Sequence, residues 1–200
     1  YNKYAFSLST GLMKNGWALT LQGSRASGGG YATGTDFHVY SYFANISKRF
    51  NDNHQLSLTA FGAPQRHHMR SNGLTKSEWD FVKRTYEGEK HWTRYNPSYG
   101  FDSNGQVKSS DYNKYHKPEV FVNHIWQIND KSNLSTTVYA SWGRGYSYSG
   151  KANSDTYSEY DWYAADYGKL NRTFRCPDGT FDYAAIENIN ISSENGAQMI

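Results

Sequence analysis

Long apolar runs are missing from this 200-residue chain. No stretch approaches the roughly 18 apolar residues of a spanning helix, which excludes a helical membrane protein. Cysteine is almost absent. Cys176 stands alone, so an internal disulfide and a small disulfide scaffold are excluded, and the thiol reads as inert. Charge of one sign is scarce as well. The net charge is +3 with no basic run, which argues against nucleic acid as a partner.

Catalytic signatures are also lacking. There is no Gly-x-Ser-x-Gly elbow, no phosphate loop and no Cys–His nucleophile pair. Gly28-Gly29-Gly30 has no strand-to-helix context. Asp80, Glu87 and Glu89 are mixed with Lys and Arg, which reads as a solvated face rather than a hydrolytic carboxylate pair. In Arg66-His67-His68-Met69-Arg70 adjacent histidines of an extended segment point to opposite sides, and no Cys or carboxylate sits at a matching spacing. The segment reads as a polar loop base. The expectation is a protein without enzymatic activity, cofactor or metal.

What the chain does have is aromatics, at 17% with 18 Tyr, and period-two alternation. Trp17, Leu19, Leu21 and Gly23 alternate with Ala18, Thr20, Gln22 and Ser24. Tyr40, Tyr42, Ala44 and Ile46 alternate with Ser41, Phe43, Asn45 and Ser47. Leu56, Leu58 and Ala60 alternate with Gln55, Ser57 and Thr59, and Leu134, Thr136, Val138, Ala140 and Trp142 with Ser135, Thr137, Tyr139 and Ser141. Such alternation marks a sheet with one apolar and one wet face. In the fifth segment Val120, Val122, His124, Trp126 and Ile128 are placed on the apolar side. Phe43, Phe61 and Tyr139 interrupt the polar one.

The strands come in pairs. Lys14-Asn15-Gly16, Asn51-Asp52-Asn53 and 129–133 form short turns, and the first two carry residues that tolerate positive φ. The pairs are separated by long polar loops at 64–117 and 147–200. Short turns at one end and long loops at the other are the layout of a transmembrane β-barrel. The low mean hydropathy of −0.85 is compatible, because half of each barrel strand faces a polar lumen. Trp17, Phe50 and Trp126 lie near the short turns, and Phe37, Tyr40 and Trp142 near the long loops, as interface girdles would. The loops are read as folded. Thr75 or Ser77 caps a short helix with Trp79, Val82 and Tyr86 on one side, and Tyr183, Ile186 and Ile189 suggest another.

Several motifs resemble the TonB-dependent outer-membrane receptors of Bacteroidetes, the SusC-like group. They are Gly11-Leu12-Met13-Lys14-Asn15-Gly16-Trp17, Tyr42-Phe43-Ala44-Asn45-Ile46-Ser47-Lys48-Arg49, Leu58-Thr59-Ala60-Phe61-Gly62-Ala63-Pro64-Gln65, Tyr95-Asn96-Pro97-Ser98-Tyr99-Gly100 and Tyr112-Asn113-Lys114-Tyr115-His116-Lys117-Pro118. The likeness runs from about residue 4 to 150. It implies a barrel of about 22 strands with a plug, energised through TonB, often lidded by a SusD-like surface lipoprotein, and importing glycan, peptide or another large substrate. It transfers no ligand-binding residue.

The expectation is thus an all-β chain, a segment of an antiparallel transmembrane β-barrel in the cell outer membrane. Its strands are read at about 4–10, 17–24, 38–50, 55–63, 118–128 and 134–146. All 200 residues are assigned to one barrel domain, read as an internal fragment whose plug and remaining strands lie elsewhere. Trp17, Leu19, Leu21, Tyr40, Tyr42, Ile46, Leu56, Leu58, Val138 and Trp142 would face outer-membrane lipid. Gln22, Ser24, Gln55 and Thr59 would line a hydrated wall. Tyr, Trp and Arg of 64–118 and 145–170 would make external contacts with substrate. The competing readings are a soluble secreted β-sandwich that binds carbohydrate and a β-rich hydrolase.

Overall fold

In a computed structural model, the chain is described over residues 1–70, 73–86, 91–149, 165–166 and 168–192. Among the described residues strand accounts for 55% and helix for 14%, with antiparallel sheets, which places the protein in the all-β class. Two compact units divide it.

The first unit comprises Tyr1–Gly28, His38–Arg66 and Lys114–Tyr146. Its strands are β1 (Asn2–Ser9), β2 (Trp17–Gly29), β3 (Asp36–Arg49) and β4 (His54–Gly62), with β5 (Gln65–His68) entering at 65–66. After the intervening β6 (Tyr99–Phe101) and β7 (Val107–Ser109), which belong to the other unit, come β8 (Asp111–His116), β9 (Glu119–Asn129), β10 (Ser132–Ser141) and β11 (Arg144–Ser149). β1–β2–β3–β4–β9–β10 form a run of neighbouring strands. Antiparallel pairing joins β1 to β2, β3 to β4, β4 to β9 and β9 to β10.

Each short turn is held by an asparagine. Asn15 Oδ1 accepts from Trp17 N at 3.2 Å, and Asn129 Oδ1 from Lys131 N at 2.9 Å. Asn51 Oδ1 accepts from both Asn53 N and His54 N, at 2.9 and 2.8 Å. These side chains satisfy backbone donors that a tight turn takes out of the ladder. Gly16 has a φ of 79°, and a Cβ there would come 2.4 Å from Arg49 O, so the turn chemistry and the packing both require glycine.

Three of the strands are interrupted near one level. β4 gives way to β5 at Ala63-Pro64, β9 follows β8 after Lys117-Pro118, and β10 gives way to β11 at Trp142-Gly143. Proline cannot donate to a ladder, so two of the breaks have a direct chemical cause. The proline carbonyls still accept across the gap, Pro64 O from Tyr40 N at 2.9 Å and Pro118 O from Trp142 N at 3.3 Å. The sixth strand expected over 134–146 is therefore two strands, β10 and β11.

The second unit draws on the described residues of Gly29–Phe37, His67–Asn113 and Ser147–Ile200. It contains α1 (Lys76–Thr85), a 3₁₀ turn (Trp92–Arg94), β6, β7, β12 (Ala165–Asp166), β13 (Lys169–Leu170), β14 (Phe181–Asp182) and α2 (Tyr183–Ser192). Thr75 caps α1, accepting from Glu78 N at 3.4 Å, and α2 forms over the expected segment. A small sheet runs β14–β6–β7, with β14 and β6 parallel. Gly100 permits that pairing, since a Cβ there would lie 1.8 Å from Phe181 O. Two apolar clusters fill the unit: Phe174, Phe181, Tyr183 and Ile186, and Val82, Tyr95 and Leu170 with Trp79, Phe81, Tyr86 and Trp92 around them.

Candidate functional site

The register of the first unit sorts its side chains onto two faces. Ile46 is opposite Leu58, Leu58 opposite Val122, and Val122 opposite Val138. Lys48, Leu56, His124 and Thr136 form the next row, and Ala44, Ala60, Val120 and Ala140 the one on the other side. Leu8 opposes Leu21, and the Lys48 ammonium lies 5.1 Å from the Trp17 ring centroid, which brings β1 and β2 to the same face. Trp17, Leu19, Leu21, Tyr40, Tyr42, Ile46, Leu56, Leu58 and Val138 thus share one face. Trp142 lies at the β10–β11 break and is exposed. On the fifth strand Val122 stands beside Leu58, on the same face.

Within the first unit no second layer packs against this apolar face. Leu58 is 45% exposed and Val138 66%. Gly62 is the one buried residue among those assigned to the first unit; the apolar clusters of the molecule are built from residues of the other unit. A two-layer domain buries such a face, so the bare sheet is the outstanding feature here.

Charged and ring-bearing side chains bracket the apolar band. Toward the short turns, His54 Nδ1 and His124 Nε2 are 3.1 Å apart and the two rings stack, with Trp126 stacked on His54 at 5.6 Å. Toward the opposite strand ends, the Arg25 guanidinium lies 5.8 Å from the Tyr40 ring centroid, and Tyr42 Oη is 3.1 Å from His116 Nε2. Tyr40 and Lys48 are eight residues apart on β3, about 27 Å along a strand.

The other face is polar and cross-linked. Asn45 Nδ2 donates to Thr59 Oγ1 at 2.7 Å, Thr137 Oγ1 to Asn123 Oδ1 at 2.7 Å, and the Ser24 and Ser41 hydroxyls are 2.6 Å apart. A row of rings crosses this face. Phe43 stands opposite Phe61, Phe61 stacks on Phe121 at 5.7 Å, and Phe121 stacks on Tyr139 at 5.7 Å. Residues that looked like separate interruptions are one ladder over four strands. Beside it, Gln22, Ser41, Phe43, Phe61, Lys117 and Glu119 line a cavity of about 640 Å³.

Several loop aromatics make contacts with one another in the second unit, while Tyr115 stays exposed. Trp79, Tyr86, Trp92 and Tyr95 of 64–118 turn inward and pack on one another. Tyr95 Oη donates to Gly179 O at 2.9 Å. Arginines serve the same interior. Arg70 Nη1 donates to Thr93 O and Tyr95 O, both at 2.8 Å. Arg175 donates to Asn171 O, Pro97 O and Gly179 O at 2.9, 2.6 and 3.2 Å, and burial lowers its pKa. In apolar surroundings carbonyl dipoles partly replace the lost hydration of a guanidinium. Most of 145–170 lies outside the described residues, as do Glu87 and Glu89.

Of the His67-His68 pair, one is buried and the other half-buried. His68 is buried, its Nδ1 2.6 Å from Asp36 Oδ1, with Tyr112 edge-on. Elsewhere in this unit Glu187 accepts from Ser103 N, Ser103 Oγ and Lys108 Nζ, which hold its carboxyl down at about 2. Among the described residues no three His, Cys, Asp or Glu side chains cluster as metal ligands would.

Comparison with protein-family models, with curated proteins and with solved structures found no match to this chain.

Proposed function

We propose that this chain is the barrel portion of a TonB-dependent outer-membrane nutrient importer, similar to the SusC-like receptors of Bacteroidetes. The observation that carries the reading is the bare apolar face around Leu58 and Val138, backed by a hydrogen-bonded polar face on the same single sheet. In water the exposed face would drive association. In a bilayer, lipid is its second layer, and the polar side lines an aqueous lumen. No helix among the described residues is long and apolar enough to cross a membrane, and strands would make the crossing.

In this reading the asparagine turns lie on the periplasmic side and the folded second unit is built from extracellular loops. Gln22, Ser24, Gln55 and Thr59 contribute to the wetted wall. The Phe43–Phe61–Phe121–Tyr139 ladder gives that wall a surface on which planar or sugar rings stack. Glycan or peptide would be the cargo, a SusD-like lipoprotein the lid, and TonB the energy source acting through the plug. The chain performs no bond chemistry. The identification of family, lid and energy coupling rests on the sequence motifs.

The test is fractionation of the whole native protein followed by uptake measurement. The expected result is retention in carbonate-washed outer membranes, heat-modifiable migration on a denaturing gel, and uptake that stops when the proton gradient is collapsed. A protein that stays monodisperse without detergent would replace this reading with the soluble β-sandwich.

A further inference from the structure

We propose that the loop-proximal end of the apolar face holds a binding site for the phosphate-bearing headgroup of a lipid; this inference rests on the membrane reading above. The residues come from strands far apart in sequence. Arg25 is on β2, His38 and Tyr40 on β3, Arg66 on β5, Lys114 on β8 and Arg144 on β11. Together they line a cavity of about 690 Å³. It is large enough for a headgroup and the first carbons of its chains. None of its described lining residues is acidic.

The charge is concentrated by position and not by composition. The whole chain carries only +3, yet four of its Lys and Arg residues converge on this one cavity. A cation cluster facing water needs no explanation. This one borders a band of Leu, Ile and Val that is itself bare, and Arg25 shares its face with Leu21. An amphiphile with an anionic head and apolar tails matches both parts at once. A soluble anion matches only the first.

The chemistry favours phosphate within the anionic class. A phosphate monoester carries close to two negative charges and three acceptor oxygens. Arginine forks bind it in bidentate fashion, and lysine adds a point charge. Tyr40 and Tyr146 of the lining supply hydroxyls and ring faces at the depth where headgroup meets acyl chain. Tyr42 is already tied to His116, and Arg25 already rests over Tyr40, so part of the wall is ordered in advance.

Native mass spectrometry of the whole native protein in detergent micelles tests this, with dioleoyl phosphatidic acid, dioleoylglycerol and inorganic phosphate as probes. Phosphatidic acid is expected to bind more tightly than dioleoylglycerol, and inorganic phosphate is not expected to displace it. The combined Arg25→Gln, Lys114→Gln and Arg144→Gln variant should lose phosphatidic acid affinity by about tenfold or more while keeping its dioleoylglycerol adducts. The charge-preserving Arg25→Lys, Arg144→Lys variant should keep clearly more of that affinity than the glutamine variant, because the charge remains and only the forks are lost. Wild-type affinity in the glutamine variant would overturn the proposal, and so would displacement of the lipid by equimolar inorganic phosphate, which would mean a free-anion site. Equal retention of both lipids sinks this inference alone. A protein that takes up neither lipid and needs no detergent sinks the membrane reading with it.

Discussion

Leu58 stands directly opposite Ile46 on one side and Val122 on the other, in the middle of a sheet face that nothing else in the first unit covers. Its sequence neighbour Ser57 points to the hydrogen-bonded side, between Ser47 and Asn123. One residue of offset therefore separates two chemical environments. Leu58→Arg and Val138→Arg are expected to impair membrane assembly by about 2–4 kcal/mol at the bilayer midplane. Ser57→Arg and Thr137→Arg should cost much less. Urea titration of the protein refolded into vesicles reads the difference, and equal losses on both faces would contradict the assignment.

The asparagine turns give a graded series. Asn51 satisfies two backbone donors and Asn129 one. Asn51→Ala should destabilise by about 1 kcal/mol or slightly more, and Asn129→Ala by less. Asn51→Asp keeps the acceptor and should recover most of the loss. Unfolding midpoints measured side by side in the same vesicles decide the order.

Arg175 makes the second unit sensitive to a change that keeps the charge. Its guanidinium reaches three carbonyls and stacks over Phe181, with the Arg Cζ 4.9 Å from the ring centroid. A lysine ammonium has no fork to span them. Arg175→Lys is expected to cost about 1.5–3 kcal/mol of local stability. Hydrogen exchange should speed up at Phe174, Cys176 and Asp182 while the amides of β4 and β9 stay protected. Unchanged exchange at those three positions would refute the role.

Acid should loosen the same unit through Glu187. Its carboxyl is held at about 2 by hydrogen bonds from Lys108 and Ser103, below the ordinary 4.5. A group depressed on folding adds stability above its unfolded value and loses it as the pH falls toward the folded one. The contribution is therefore complete above about pH 5 and fades between about 4.5 and 2. Glu187→Gln should remove that dependence. Proteolysis across this pH window, with an acid-active protease, compares the two proteins.

Local pattern carried the first unit a long way. Alternation marked its six principal strands because successive side chains fall on an apolar and a hydrogen-bonded face. Asn and Gly marked the turns because their chemistry is local. The helix cap at Thr75 was legible for the same reason. The parallel pairing of Phe181 with Gly100 was not, since strands of two or three residues hold no periodicity and the partners lie 81 positions apart. Nor was the inward turn of Tyr95 or the carbonyl cage around Arg175, where distant backbone supplies the partners. The ring ladder fell between these cases. Phe43, Phe61 and Tyr139 were visible as exceptions, but only the register turns exceptions into a stack.

The interruptions at Pro64, Pro118 and Gly143 thin the ladder of three strands near one level, while β2 and β3 run through it unbroken. Bending a strand is easiest where its ladder is thinnest, and here three strands thin out together. Arg66 and Arg144 lie beyond such breaks from Leu58 and Val138, whereas Arg25 sits on the continuous β2. Bending of the segments that carry Arg66 and Arg144 would then be taken up at the breaks, leaving the row from Ile46 through Leu58 and Val122 to Val138 in register.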